Sequence, residues 1–333
     1  MPDYRFQLIN RTASSPIGDD LRRQLLDRPG LQPHRPSGSD APETRNSLAQ
    51  TASLYRPDEA LETAINTAIA IGEPLLLTGE PGTGKTQAAY YVAHALGLGD
   101  PFHFQTKSTS AGNDLLYDFD TVQYFHDAQL AKVDEAAARR RLNPRDYVKK
   151  GTLWRAFDRA TETGFPTVVL IDEIDKAPRD FPNDLLHEID QMQFHVQEIP
   201  DHPPVTCARP LRPLVFITSN DERRLPPAFL RRCVTHHIEL TKPLLQTAVE
   251  SHRHRFRALD DTFLRTAVDC FWRIRDKKGL EKKPATGELL AWLQVLSVAT
   301  GNDRLALAVE SAHLPYLGTI IKTPEDLEVV KRK

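Results

Sequence analysis

Cysteine is scarce in this sequence, and the few present form no pattern. Cys207, Cys233 and Cys270 are odd in number, far apart and at no metal-ligand spacing. No disulfide framework and no cysteine-based zinc site follow, and a reducing cytosol is the expected setting. An excess of charge is also lacking: 43 Lys and Arg against 45 Asp and Glu give a formal net charge of −2. General nucleic-acid binding usually needs a strongly basic face, so nucleic acid is not an expected partner. No apolar run approaches the roughly 20 residues that cross a bilayer, so no membrane span is expected. The opening residues, "MPDYRFQLINR", have no apolar stretch of signal-peptide length, which makes the cytoplasm the expected location. Nothing repeats at a fixed period, which sets repeat architectures aside.

The chain of 333 residues can hold one large domain or two modest ones. Residues 1–52 read as a separate segment. "RPGLQPHRPSGSDAPETRNS" is rich in Pro, Ser and charge with little to bury, so it is expected to be flexible. Within it, "DDLRRQLLDR" could place Leu21, Leu25 and Leu26 on one helical side, either as part of a solvated tail or as a docking peptide. From Tyr55 the texture changes. "RPDEALETAINTAIAIG" has Pro57 near a helix start, acids in the first turn and Gly72 at the stop. Short aliphatic runs follow: "PLLLT", Phe102 to Thr106, Thr167 to Ile171, Leu214 to Thr218 and His236 to Leu240. Helical material separates them, so residues 53–241 read as an α/β core with a mainly parallel sheet between helices. Beyond Thr241 only helical spacing remains, and 242–333 reads as a small all-α domain.

Three stretches carry the chemistry. In "GEPGTGKT", Gly79, Gly82 and Gly84 permit a backbone whose N–H groups point at phosphate oxygens, with Glu80, Pro81 and Thr83 between them. The following helix, beginning near Gln87, adds its positive end. Lys85 is expected to reach the β- and γ-phosphates, and Thr86 to place its hydroxyl on Mg²⁺. Strand, glycine loop and helix in this order give the motif structural meaning. In "TVVLIDEIDKA" an aliphatic strand ends in two acids. A carboxylate there needs a positive partner: Mg²⁺ for Asp172, while Glu173 is placed to polarise a water against the γ-phosphate. In "LVFITSNDERRLPPAFLRRC" Asn220 ends the next strand. It is either a turn former or an amide aimed at the γ-phosphate or the attacking water. Arg231 and Arg232 follow, either solvated or offering a cation to the phosphate of an adjacent subunit.

These three stretches resemble the AAA+ ATPases over roughly 55–300, and within them the MoxR branch. Walker A looks like "GEPGTGKT", Walker B like "VVLIDEIDKAP", and sensor 1 like Asn220 in "ITSND". "LPPAFLRRC" looks like the arginine-finger stretch, with Arg232 favoured over Arg231. Residues 191–211 resemble the hairpin this branch inserts before sensor 1, and 115–160 its insertion associated with helix 2. Both lie near the pore of a ring in relatives. Tyr55, Arg56 and Pro57 match where relatives begin to wrap the adenine. The resemblance implies a P-loop NTPase core with a five-stranded parallel sheet, a helical lid, and ATP with Mg²⁺ as cofactors. It also implies a homo-oligomeric ring, hexameric by expectation, and a partner protein of the kind carrying a von Willebrand factor A domain. One departure stands out: relatives carry a sensor 2 arginine at the start of a lid helix, and "KKPATGELLAWLQVL" has none between Pro284 and Leu296. Lys282 or Lys283 substitutes, or the function is absent.

The expectation is therefore an ATPase ring that remodels, activates or assembles a partner protein, as in some bacterial conflict systems. A scaffold switched by ATP with incidental hydrolysis is the first alternative, and a nucleic-acid translocase of restriction type the second. Two weaker features remain. The run Arg139, Arg140, Arg141, Arg145, Lys149 and Lys150 is a solvated helix face or, if it faces a pore, a contact for an acidic partner or a nucleic-acid backbone. His236, His237, His252 and His254 lack a third ligand at zinc-like spacing, so structural or exposed roles are expected.

Overall fold

The computed structural model describes residues 47–133, 142–199, 201–298 and 314–331. Residues 1–46 of the segment read as flexible, Leu21, Leu25 and Leu26 included, and Arg139, Arg140 and Arg141 lie outside the described residues, whereas the end of that segment, Ser47–Thr51, is a short helix and Ala52 is buried. Pro57–Leu240 form one compact unit. The described residues before Pro57 belong with those from Thr241 onward in a second.

The first unit is built on five short strands: β1 (Leu75–Thr78), β2 (Phe102–Gln105), β5 (Val168–Asp172), β8 (Leu214–Ser219) and β9 (Val234–His237). All pair in parallel, in the order β2-β5-β8-β1-β9. The central strands read as continuous aliphatic runs because both of their faces are covered, and every residue of β5 is buried. Burial alternates in β9, at one edge, and is only partial in β2, at the other. That edge character explains the one displaced strand. The apolar Ile238 and Leu240 suggested a strand from His236 to Leu240, whereas the ladder pairs Leu75 with Val234 and Thr78 with His237. Ile238 adds one further bond, donating its N–H to Thr78 O at 2.8 Å, and is buried past the strand end.

Helices flank the sheet. α1 (Glu59–Ile71) starts at Asp58, whose side chain accepts the Leu61 N–H, and stops at Gly72 in the left-handed conformation. α2 (Lys85–Ala95) follows the glycine loop. α3 (Thr121–Val133) lies in the segment read as an insertion, beside a ribbon of β3 (Tyr117–Phe119) and β4 (Val148–Lys150). α4 (Thr152–Thr163) corrects that reading at its end. Residues 152–160 are a wall of the core, packed on β2 and β5 through Leu153, Trp154, Ala156, Phe157 and Ala160. Gly151 makes this join possible, because a Cβ there would come within 2.6 Å of the Leu115 and Leu116 carbonyls. A second ribbon, β6 (Gln193–Phe194) with β7 (Val205–Thr206), precedes β8. Phe194 and Trp154 join Phe157, Phe181 and the aliphatics of β5 and β8 in the main core.

The second unit is helical: α5 (Lys242–Ser251), α6 (Asp261–Arg275), α7 (Thr286–Val298) and α8 (Pro324–Lys331). Thr241 and Asp260 cap α5 and α6 by accepting the N–H groups of Leu244 and Phe263. Trp292 is fully buried and donates to the Pro315 carbonyl at 2.9 Å. No helix among the described residues is long and apolar enough to cross a membrane.

Candidate active site

The glycine loop closes the end of β1. Gly79, Gly82 and Gly84 all have positive φ, of 138°, 79° and 96°. Gly79 is constrained twice, since a Cβ there would also overlap the Ile238 carbonyl. Lys85 is 5% exposed and turns back over the loop, donating to the carbonyls of Gly79 and Glu80, both at 2.8 Å. Glu80 O also accepts the Thr83 hydroxyl at 2.9 Å. Burial pushes the Lys85 ammonium below its usual range, and the carboxylates of Asp175, Asp172, Asp221 and Glu173 oppose that shift. Pro81 is exposed at the loop crest, and Gln87 is half-buried in the first turn of α2.

The parallel register brings the acids to this loop. β5 lies between β2 and β8, with Gln105 opposite Asp172 and Ile217 opposite Ile171. Asp172 Oδ1 accepts the Thr86 hydroxyl at 2.9 Å and the Thr218 hydroxyl at 2.5 Å. His103 Nε2 lies 3.2 Å from Asp172 Oδ2, off the line of a well-formed hydrogen bond. The His103 Nδ1 meets the Tyr90 hydroxyl at 3.2 Å. Burial acts to raise the Asp172 carboxyl, but His103, Thr218 and Thr86 outweigh it and leave the group below its ordinary value.

Glu173 follows with φ of +56°, in the left-handed region that a glutamate seldom adopts. Its N–H donates to Thr218 Oγ1 at 2.8 Å. Its Oε2 accepts from Gln105 Nε2 at 2.8 Å and Lys176 Nζ at 2.6 Å, while Oε1 has the longer contact to Asn220 Nδ2 at 3.3 Å. Asp175, almost wholly buried, accepts the backbone N–H groups of Asn220 and Glu222.

The cradle, Asp172, Glu173 and Asn220 are thus gathered at the ends of three neighbouring strands. Other residues singled out from sequence have other partners or belong to the second unit. Arg232 pairs with Asp190 at 2.9 Å, and Arg231 is exposed with no ion-pair partner among the described residues. Tyr55 and Arg56 belong to the second unit, where Arg56 donates to the carbonyls of Ser53 and Tyr55. Lys282 and Lys283 are exposed there too, with the Lys282 backbone held by Asp326. Lys149 and Lys150 form ion pairs with Asp120 and Asp158. His237 meets the Thr78 hydroxyl, and burial lowers the His252 imidazole. Among the described residues no three His, Cys, Asp or Glu side chains gather as a metal site. Sequence reasoning missed His103, Gln105, Thr218, Asp175 and Lys176. The last two stand inside the quoted acidic motif, and the first two are the polar positions of "FHFQ".

A backbone cradle between a buried strand and a helix, with an Asp-Glu pair on the adjoining strand end, defines a nucleotide-binding α/β protein. Residues 75–242 match the profile of the ATPase family associated with various cellular activities, AAA. The chain belongs to that family, whose common activity is binding and hydrolysis of ATP. No curated protein matches the chain significantly. Among solved structures it is similar to a protein of Cytophaga hutchinsonii, provisionally described as an ATPase, at 14% identity and a TM-score of 0.38. The overlap spans 86% of this chain and 83% of that one, and carries no weight at such a score.

Proposed function

We propose that this chain is a Mg²⁺-dependent ATPase of the MoxR branch, working as a ring of identical subunits, six by resemblance, that remodels, activates or assembles a partner protein. The observation that carries the hydrolytic reading is the contact of Glu173 with Asn220 beside the Thr86–Asp172 pair. Lys85 supplies the cation for the β- and γ-phosphates. A hydroxyl and a carboxylate suit Mg²⁺, which takes few protein ligands and keeps waters and phosphate oxygens. Bound there, the ion would neutralise charge on the phosphate oxygens. Glu173 then orients and deprotonates the attacking water. Two short bonds occupy its Oε2, so Oε1, with a single long contact, is the oxygen able to accept a proton.

Arg232 is proposed to act on the nucleotide of a neighbouring subunit. Its pairing with Asp190 does not oppose this, since an exposed ion pair is worth about 1 kcal/mol or less. The surface of α3 suits a protein partner, because Val122 and Phe125 are 82% and 59% exposed. A partner with a von Willebrand factor A domain is the proposed kind. The reading of an ATP-controlled scaffold is favoured by one feature, the lack of an arginine between Pro284 and Leu296.

Glu173→Gln tests the proposal. It should bind ATP as the parent does and lose about a hundredfold or more in phosphate release. Parental turnover in this variant would remove Glu173 from the mechanism, and a parent that assembles with ATP but never turns over would establish the scaffold instead.

A further inference from the structure

We infer that Asp175 is the positioning residue that sets Asn220 against Glu173, by tying the loop after β8 to the turn after β5. The inference rests on the reading of Glu173 as the water-activating carboxylate. Asp175 lies in the turn Ile174–Lys176 and is 2% exposed. Its Oδ2 accepts the Asn220 N–H at 3.1 Å and the Glu222 N–H at 3.0 Å. One oxygen therefore grips the second loop on both sides of Asp221, which is itself turned to φ of +60°. Amides converging around a left-handed residue make a small anion cradle, and here the anion belongs to the chain.

A buried carboxylate is an expensive way to secure a loop. Asp175 Oδ1 is buried and has no hydrogen-bond partner among the described residues, so the side chain keeps its place despite one oxygen left without a donor there. What the arrangement achieves is precision. The Asn220 backbone is fixed by Asp175, and its side-chain amide then stands 3.3 Å from Glu173 Oε1. That contact is long enough for a small displacement of the loop to abolish it. Among the described residues Asp175 makes no hydrogen bond to Lys85 or Glu173; its charge also acts on Lys85, and the neutral Asp175→Asn separates that effect from its hold on Asn220.

Two substitutions separate geometry from charge. Asp175→Asn keeps an acceptor oxygen facing both N–H groups, whereas Asp175→Glu keeps the charge and displaces the oxygen by one methylene. Turnover of D175N should stay within about threefold of the parent, and that of D175E should fall about tenfold or more, with nucleotide affinity in both within about threefold. Asp175→Ala serves in place of D175E if the longer side chain prevents folding. Amide exchange over Ile217–Glu222 provides a readout independent of turnover: it should quicken in D175E or D175A and stay unchanged in Glu173→Gln. The inference is overturned if D175N is as slow as D175E, if affinity falls in step with rate, or if exchange does not change. A parent without ATP turnover would refute the proposed function, and the exchange result would then decide by itself whether Asp175 holds the loop.

Discussion

Replacing Thr218 with valine should damage the site and the fold together. The side chain is 1% exposed, and its hydroxyl serves two partners at once. It donates to Asp172 Oδ1 at 2.5 Å and accepts the Glu173 N–H at 2.8 Å. Valine fills nearly the same volume and does neither. Each buried polar group left unsatisfied costs about 1–3 kcal/mol. Asp172 keeps the Thr86 hydroxyl, so its share lies at the low end, and the sum is about 2–4 kcal/mol. The Glu173 N–H also helps pin a left-handed glutamate, a conformation that costs about 1–2 kcal/mol by itself. At about 2–4 °C per kcal/mol for a domain of this size, Thr218→Val should melt about 5–15 °C below the parent. Thr218→Ser keeps the hydroxyl and loses only a methyl, so it separates hydrogen bonding from packing. Thermal unfolding and phosphate release should be measured on all three proteins. If valine and serine variants melt together and valine retains parental turnover, the hydroxyl does not organise Asp172 and Glu173, and the account of the strand ends given above is wrong.

The same pair has a pH signature. The Asp172 carboxyl lies below its ordinary value in the folded chain, so its contribution to stability is complete above the unfolded value of about 3.9 and is lost as pH falls through the folded one. The difference in urea midpoint between the parent and Thr218→Val should therefore be largest above about pH 5 and narrow toward pH 3. A gap that widened on acidification would contradict the sign. For the arginines, Arg232→Ala should bind ATP normally yet hydrolyse it about 10³–10⁵ times more slowly. Mixing it with Glu173→Gln should restore partial activity, because some interfaces then join an intact Arg232 to an intact Glu173. A dead mixture that demonstrably co-assembles would place the arginine's role within its own subunit, and rescue by Arg231→Ala mixtures instead would move the role by one residue. Burial pushes the Cys233 thiol up to about 12, so it should resist alkylation at pH 8 until the chain unfolds, and peptide mapping after a timed iodoacetamide pulse would show it.

Much of the core was legible because its signals are local. Aliphatic runs mark the central strands, where burial on both faces leaves no alternation to misread, and the glycines and Lys85 stand within a few residues of one another. Legibility failed where the deciding contacts join distant strands. Thr218 reads as the polar end of "LVFIT", and nothing in that string says that the parallel register sets it beside Asp172. His103 and Gln105 alternate with phenylalanines in an edge strand, and only the pairing of β2 with β5 reveals what they face. α4 was assigned to an insertion because its neighbours are, although Trp154 and Phe157 are core residues. At β9 the apolar Ile238 and Leu240 drew the expected strand past its true end.

The strand order also determines when the phosphate loop can exist. β1 carries the loop, yet its two neighbours are β8 and β9, with Leu75 registered against Phe216 on one side and Val234 on the other. Until synthesis has passed Ser219 the loop hangs from a strand with no partner, and until it has passed Ile238 that strand is an open edge and Gly79 has no Ile238 carbonyl to close against. Joining these strands means closing long loops, a large entropic cost met before any ladder bond forms. A nascent chain that ends before β8 should expose Leu75, Leu76 and Leu77, buried in the finished protein, as a sticky unpaired strand. Nucleotide binding therefore belongs to the whole sheet, and cannot be carried by a fragment cut around the loop that bears its motif.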